Sequence, residues 1–164
     1  MIIQENAAMM IEKKKISDKQ LNQILRQTGL DTLDQYIKKY ADSEDELSVS
    51  DYLTGIIFHK GLRKKAVISR SGVSENLGYK LLNGTKTTTD RDKIIGLCIG
   101  AGMTVEETNR ALVMARLGPL YCRSARDAVL TVGLQCGISS VIEMNELLGS
   151  RGFRLLNLHE SREG

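Results

Sequence analysis

Residues 62–84 read LRKKAVISRSGVSENLGYKLLNG, and the punctuation of this stretch decides the fold. Apolar residues recur at helical spacing on both sides of Ser71-Gly72-Val73. Gly72 can take the positive φ of a tight turn, and Gly84 closes the second run. The pattern predicts one helix over about 63–71 and another over about 74–83, with Ser74 capping the second. Leu77 and Leu81 face inward in this arrangement, with Val73 behind the turn and Leu82 beside them. Glu75, Asn76, Tyr79, Lys80 and Asn83 face outward.

Working outward, the rest of the chain also reads as helix. A Ser or Thr three residues before Asp, Glu or Gln satisfies free backbone donors in a first helical turn. Such pairs occur at Ser17/Gln20, Thr32/Gln35, Ser48/Asp51, Thr89/Asp92, Thr104/Glu107, Ser124/Asp127 and Ser140/Glu143. Each introduces apolar residues spaced by three and four. Gly29, Gly61, Gly102, Gly118 and Gly137 fall where those periods end, and Pro119 places a stop after residue 117. One repeat stands out: RDKIIGLCIGAGMT from Arg91 aligns with RDAVLTVGLQCGIS from Arg126, which suggests two helical hairpins on a common core. The acidic run DSEDE, Asp42 to Glu46, is the expected linker. The chain therefore divides into an N-terminal helical extension with its linker (1–46), a central bundle (47–118) and a C-terminal helical hairpin and tail (119–164). Residues 1–15 read equally as helix, edge strand or disordered arm.

Composition sets bounds. A chain of 164 residues, 41% hydrophobic but only 4% aromatic, builds its core from aliphatic side chains. Cys98, Cys122 and Cys136 form no C-x-x-C pair and are expected to be reduced, buried spectators in a cytoplasmic protein. No apolar run reaches the roughly 18 residues of a membrane span, so no membrane partner is expected. His59 and His159 lack ligand spacing, and neither a nucleophile–base set nor a phosphate-cradling glycine loop can be assembled. Neither metal, cofactor nor enzyme activity is expected. Charge is uneven: residues 52–100 hold nine Lys/Arg against three Asp/Glu, a composition suited to a polyanion although a solvated helix face gives it too.

A helix, tight turn and second helix of this size is the form of the DNA-binding helix-turn-helix. The stretch resembles the lambda-repressor-like, xenobiotic-response-element type of regulator over about residues 48–117. SVSDYLTGIIFHKGL supplies the first helix, the motif pair follows, and the loop NGTKTTTD leads into RDKIIGLCIGAGMTVEETNRAL. Gly84, Lys86 and Ala101-Gly102 match the family layout. Residues 45–155 further resemble a clostridial-type subgroup that adds a PLY turn, here Pro119-Leu120-Tyr121, and two more helices. The resemblance implies an all-α, five-helix bundle carrying an N-terminal helical pair and a C-terminal helical hairpin. Three positions depart from the family: Lys64 where Gln is frequent, Ile68 where a small Ala is usual, and Gly78 where Ile or Val is usual. A helix-interior glycine costs about 1 kcal/mol relative to alanine, so a compensating close approach of helices is expected there, with Tyr79 filling the space from the side.

Residue chemistry then assigns roles. Lys64, Lys65, Lys80 and Lys86 are suited to phosphates. Asn76 and Asn83 suit adenine edges, and Glu75 accepts from cytosine N4 or repels phosphate. Ser74 and Tyr79 complete the expected contact set. The expected function is sequence-selective binding of duplex DNA by a homodimeric bacterial transcriptional regulator. The competing expectation is a protein-interaction adaptor, or an antitoxin-like regulator, that binds a protein partner through the N- or C-terminal helices.

Overall fold

The computed structural model describes residues 16–41 and 47–157. Residues 1–15, the DSEDE linker and His159 lie outside them. The described residues form nine α-helices and no strand: α1 (Asp18–Gln27), α2 (Leu33–Tyr36), α3 (Val49–His59), α4 (Lys64–Ser71), α5 (Glu75–Asn83), α6 (Arg91–Gly100), α7 (Val105–Met114), α8 (Ala125–Gln135) and α9 (Val141–Gly149). None of these helices is long and apolar enough to cross a membrane.

Helix starts follow the side-chain chemistry of the sequence. Ser17 and Thr104 form full capping boxes with Gln20 and Glu107. Ser48, Ser74 and Ser124 each accept from a backbone N–H in the first turn that follows. Three expected caps differ. Thr32 makes no side-chain cap, and α2 is a single turn that widens into a π-helical turn at Ile37–Ala41. The start of α6 is capped by Asp90, not Thr89, because the Asp90 carboxylate reaches the Asp92 N–H. Ser140 caps through Ile142 N–H, with no Glu143 reciprocity.

Stops differ at two ends, after α1 and after α7. Helix α7 ends at Met114, and Arg116, with φ of 58°, takes the left-handed position expected of Gly118. Gly61, Gly72, Gly84, Gly102 and Gly137 have positive φ, whereas Gly29 does not.

The core is organised around α6, in which every residue from Asp92 to Gly100 is buried. Its glycines let α4 lie directly on its backbone. A Cβ on Gly96 would stand 2.4 Å from the Ser71 carbonyl oxygen, and one on Gly100 would stand 2.4 Å from that of Val67. Helix α3 packs across α5 and α7, and α9 closes over α4 and α6. Leu130, Leu134, Val141, Met144, Leu148 and Leu156 belong to the same buried cluster as Leu53, Ile56 and Ile95. The C-terminal hairpin thus docks on the central helices and completes their core.

The internal repeat becomes a reciprocal clasp. Arg91 gives two hydrogen bonds to Asp127, at 2.9 and 2.8 Å, and Arg126 gives two to Asp92, at 3.0 and 2.9 Å. Exchange of i-to-j and j-to-i contacts is the signature of a local two-fold relation. Both aspartates stand in the first turn of their helices, where the helix dipole also favours a carboxylate. Burial alone would raise the Asp127 carboxyl, but Arg91, the Tyr121 N–H and Arg126 outweigh it and hold it below the ordinary range. The hydrogen bond to Asp127 likewise raises the Arg91 guanidinium.

The N-terminal helices stand apart energetically. No residue of 16–41 is buried, and Leu30 is 92% exposed. An ion pair from Arg110 to Asp18 ties α1 to α7, while the Arg110 guanidinium also lies over the Tyr52 ring, 6.0 Å from its centre.

Candidate nucleic-acid interface

The turn between α4 and α5 is built by one serine and one glycine. The Ser71 hydroxyl donates to the Ile68 carbonyl at 2.6 Å and accepts from Val73 N–H at 3.0 Å, so it bridges the end of α4 to the residue beyond the turn. Gly72 takes φ of 73° between them. Val73 is buried behind the turn, and the Ser74 hydroxyl accepts from Leu77 N–H to open α5.

Leu81 and Leu82 then anchor α5 in the core, with Leu77 and Tyr79 partly buried against it. Ile68 on α4 and Gly78 on α5 turn out to be one feature. A Cβ on Gly78 would lie 2.6 Å from Ile68 Cγ2 and 2.9 Å from Cγ1. The large side chain on α4 fills the space that a side chain on α5 would need.

With its apolar side so fixed, α5 turns Glu75, Asn76, Lys80 and Asn83 to solvent. Its C-terminal end is equally defined. Gly84 takes φ of 76°, and the N–H groups of Gly84, Thr85 and Lys86 all converge on the Lys80 carbonyl. This closes the helix and brings exposed Lys86 beside its last turn. The Lys64 ammonium reaches across to the Asn83 side-chain oxygen at 3.1 Å and pins the start of α4 to the end of α5. Those two residues are therefore directed at each other. Lys65 is exposed, and with Ile68, Ser69, Val73, Ser74 and Glu75 it lines an open groove of about 390 Å³ along the turn.

The basic block is smaller at the surface than its residue count suggests. Arg91 is held by Asp127 and by the Gly118 and Pro119 carbonyls. Arg70 caps α6 through two hydrogen bonds to Gly100 O, Lys60 bonds Gly102 O and Glu107, and Lys93 is nearly buried beside Asp90. Arg63, Lys65, Lys80 and Lys86 remain exposed. Arg63 was not among the expected contact residues. The signal for it was its place in the Arg63-Lys64-Lys65 run, immediately before the first motif helix.

The cysteines correct one expectation. Cys98 is fully buried, and burial pushes its thiol up to about 12, but Cys122 and Cys136 are exposed. Cys122 lies in the connection before α8 and Cys136 at its C-terminal cap, where one side of the backbone faces water. Among the described residues, no group of three or more His, Cys, Asp or Glu side chains is placed to hold a metal ion.

Comparison of the chain with protein-family models, with curated proteins and with solved structures returns no significant match.

Proposed function

We propose that the chain is a duplex-DNA-binding transcriptional regulator of the lambda-repressor-like type, in which α3 to α7 form the five-helix bundle and α5 is the recognition helix. The observation that supports this reading is the exposed polar flank of α5, Glu75, Asn76, Lys80 and Asn83, together with exposed Arg63 just before α4, Lys65 in its first turn and Lys86 just beyond α5. A major groove accepts a helix presented in this way, and the surrounding cations suit the flanking phosphates. Asn76 is the residue for an adenine edge and Glu75 for a cytosine amino group, while Lys80 and Lys86 hold the backbone. The reading includes a homodimer, because paired recognition helices read half-sites about 34 Å apart.

Retention on duplex DNA tests it. Lys80→Glu with Lys86→Glu leaves the core untouched, since both side chains are exposed. The double variant is expected to lose retention, and the logarithmic salt slope of residual binding is expected to fall by about 0.9 for each phosphate contact removed. Unchanged retention would remove the reading. Selection from random duplexes is expected to return a two-fold symmetric site.

A second reading draws on the unburied N-terminal segment, where Leu25 on α1 and Leu30 in the turn that follows it are exposed. In it, a protein partner binds α1 and α2, as in an adaptor or antitoxin-like regulator. A co-purifying protein that is lost on deleting residues 1–46, with duplex retention absent throughout, would favour this reading over the first.

A further inference from the structure

Helix α4 ends without a backbone capping hydrogen bond at Gly72, and its last carbonyl groups need partners from elsewhere. One comes from the far end of the chain. The Asn157 side-chain amide donates to Ser71 O and to Asp92 O, both at 3.0 Å, and so joins the end of α4 to the first turn of α6.

Space has been cleared for this amide. A Cβ on Gly96 would stand 2.4 Å from Asn157 Nδ2, and one on Gly72 would stand 3.2 Å from Asn157 Cβ. Asn157 itself sits at φ of 53°, a conformation that Asn tolerates better than most side chains. The segment leading to it is held on both sides. Asn145 donates to Leu156 O at 3.0 Å and accepts from Leu156 N–H at 2.8 Å, while Arg126 Nε donates to Arg154 O. Asn157 also borders the groove that runs to Ser74 and Glu75 at the start of α5.

We propose that Asn157 is a positioning residue for α5: its amide caps α4 from the opposite end of the chain and thereby fixes the angle at which α5 leaves the turn. The consequence for DNA rests on the function proposed above, but the positioning does not. Two substitutions separate its parts. Asn157→Asp keeps the shape and the tolerance of positive φ, and turns a carboxylate toward two carbonyls. Asn157→Gly keeps the backbone and removes the side chain.

Native-state amide exchange reads the turn directly. In both variants the Val73 amide, bonded to Ser71 Oγ, is expected to exchange about tenfold faster, the effect of losing roughly one net hydrogen bond locally. Ala111 in α7 is expected to keep its rate, which a general loss of stability would not allow. Unchanged exchange at Val73, or equal acceleration at Val73 and Ala111, would overturn the proposal. On DNA, both variants are expected to lose about tenfold in the ratio of selected-site to random-duplex affinity, roughly one good base contact, while the salt slope stays the same. If the unaltered protein is not retained on duplex at all, the DNA reading fails, and the exchange rates alone decide the role of Asn157.

Discussion

The contact between Ile68 and Gly78 gives the sharpest test of how α4 and α5 are joined. Gly78→Ala brings two opposed effects. Replacing a helix-interior glycine gains about 1 kcal/mol of helix propensity. Against that, the new methyl would meet Ile68 Cγ2 at 2.6 Å, Cγ1 at 2.9 Å and Cδ1 at 3.1 Å. Ile68 is buried, and β-branching leaves it no easy rotamer to escape into. Overpacking of this kind costs about 2 kcal/mol, so the single variant is expected to be destabilised by roughly 1 kcal/mol. Ile68→Ala opens a cavity and is expected to cost about 3 kcal/mol.

In the double variant the clash disappears and the new methyl refills part of the hole, worth about 0.8 kcal/mol for one carbon. The expected cost is then only about 1 to 1.5 kcal/mol, which leaves a coupling of about 2.5 kcal/mol relative to additivity. Ile68→Val is the control, because valine retains both γ carbons that meet the new methyl and therefore gives no rescue. Urea unfolding of the four proteins measures the cycle, with a constant m-value as the check that the folded and unfolded states are comparable. Additivity within about 0.5 kcal/mol, or rescue by valine as good as by alanine, would refute the account in which Ile68 fills the space left at Gly78.

Other outcomes follow from the same contacts. Gly100→Ala sets a methyl 2.4 Å from a backbone oxygen, whereas Gly133→Ala meets the flexible Met144 thioether at 2.5 Å; the first is expected to cost about 3 kcal/mol or more and the second less than about 1.5 kcal/mol in the same assay. Asp127 has a depressed pKa, so its contribution is present above the unfolded carboxylate value of about 3.9 and is lost as pH falls through the lower folded value. Asp127→Asn is accordingly expected to cost about 1 to 3 kcal/mol at neutral pH and to flatten the acid limb of the stability curve; an unchanged acid limb would contradict the clasp. Thiol labelling of the native protein is expected to modify Cys122 and Cys136 and to spare Cys98 until unfolding, with mass spectrometry as the readout. Asp18→Ala is expected to shift stability by less than about 1 kcal/mol in urea unfolding, because Asp18 is exposed and an ion pair at the surface is weak.

Local chemistry made much of this fold legible. Ser17, Ser48, Thr104 and Ser124 cap the helices they precede, and the turn glycine at 72, the buried Val73 and exposed Glu75, Asn76, Lys80 and Asn83 stand where apolar period and glycine placement put them, whereas Tyr79, expected on the same outward flank, is partly buried against the core. What could not be read depended on contacts distant in sequence. The Arg-Asp pairs at 91 and 126 showed as a repeat, but only the fold shows that each aspartate takes the other unit's arginine. The count of cations could not separate Arg91 and Arg70, held by internal oxygens, from Lys80 and Lys86 at the surface. Thr89 lost its cap to Asp90 because a carboxylate one residue closer reaches the same N–H groups. Gly118 lost its stop to Arg116 because α7 ends a turn earlier than its apolar period. A close approach at Gly78 was predictable in kind, but the side chain that fills the space is Ile68 of α4 and not Tyr79, its neighbour in sequence.

The reciprocal clasp also constrains how this chain can change over generations. Each arginine answers to an aspartate in the other hairpin, so a drift at one of the four positions takes the matched partner from a buried aspartate or a half-buried arginine that has not itself mutated, although Asp92 keeps a contact to Arg154 at 3.3 Å. Relatives that abandon the arrangement should therefore do so in cross-matched couples, position 91 with 127 and 92 with 126. Couples of adjacent residues would leave a mismatched charge behind on both sides.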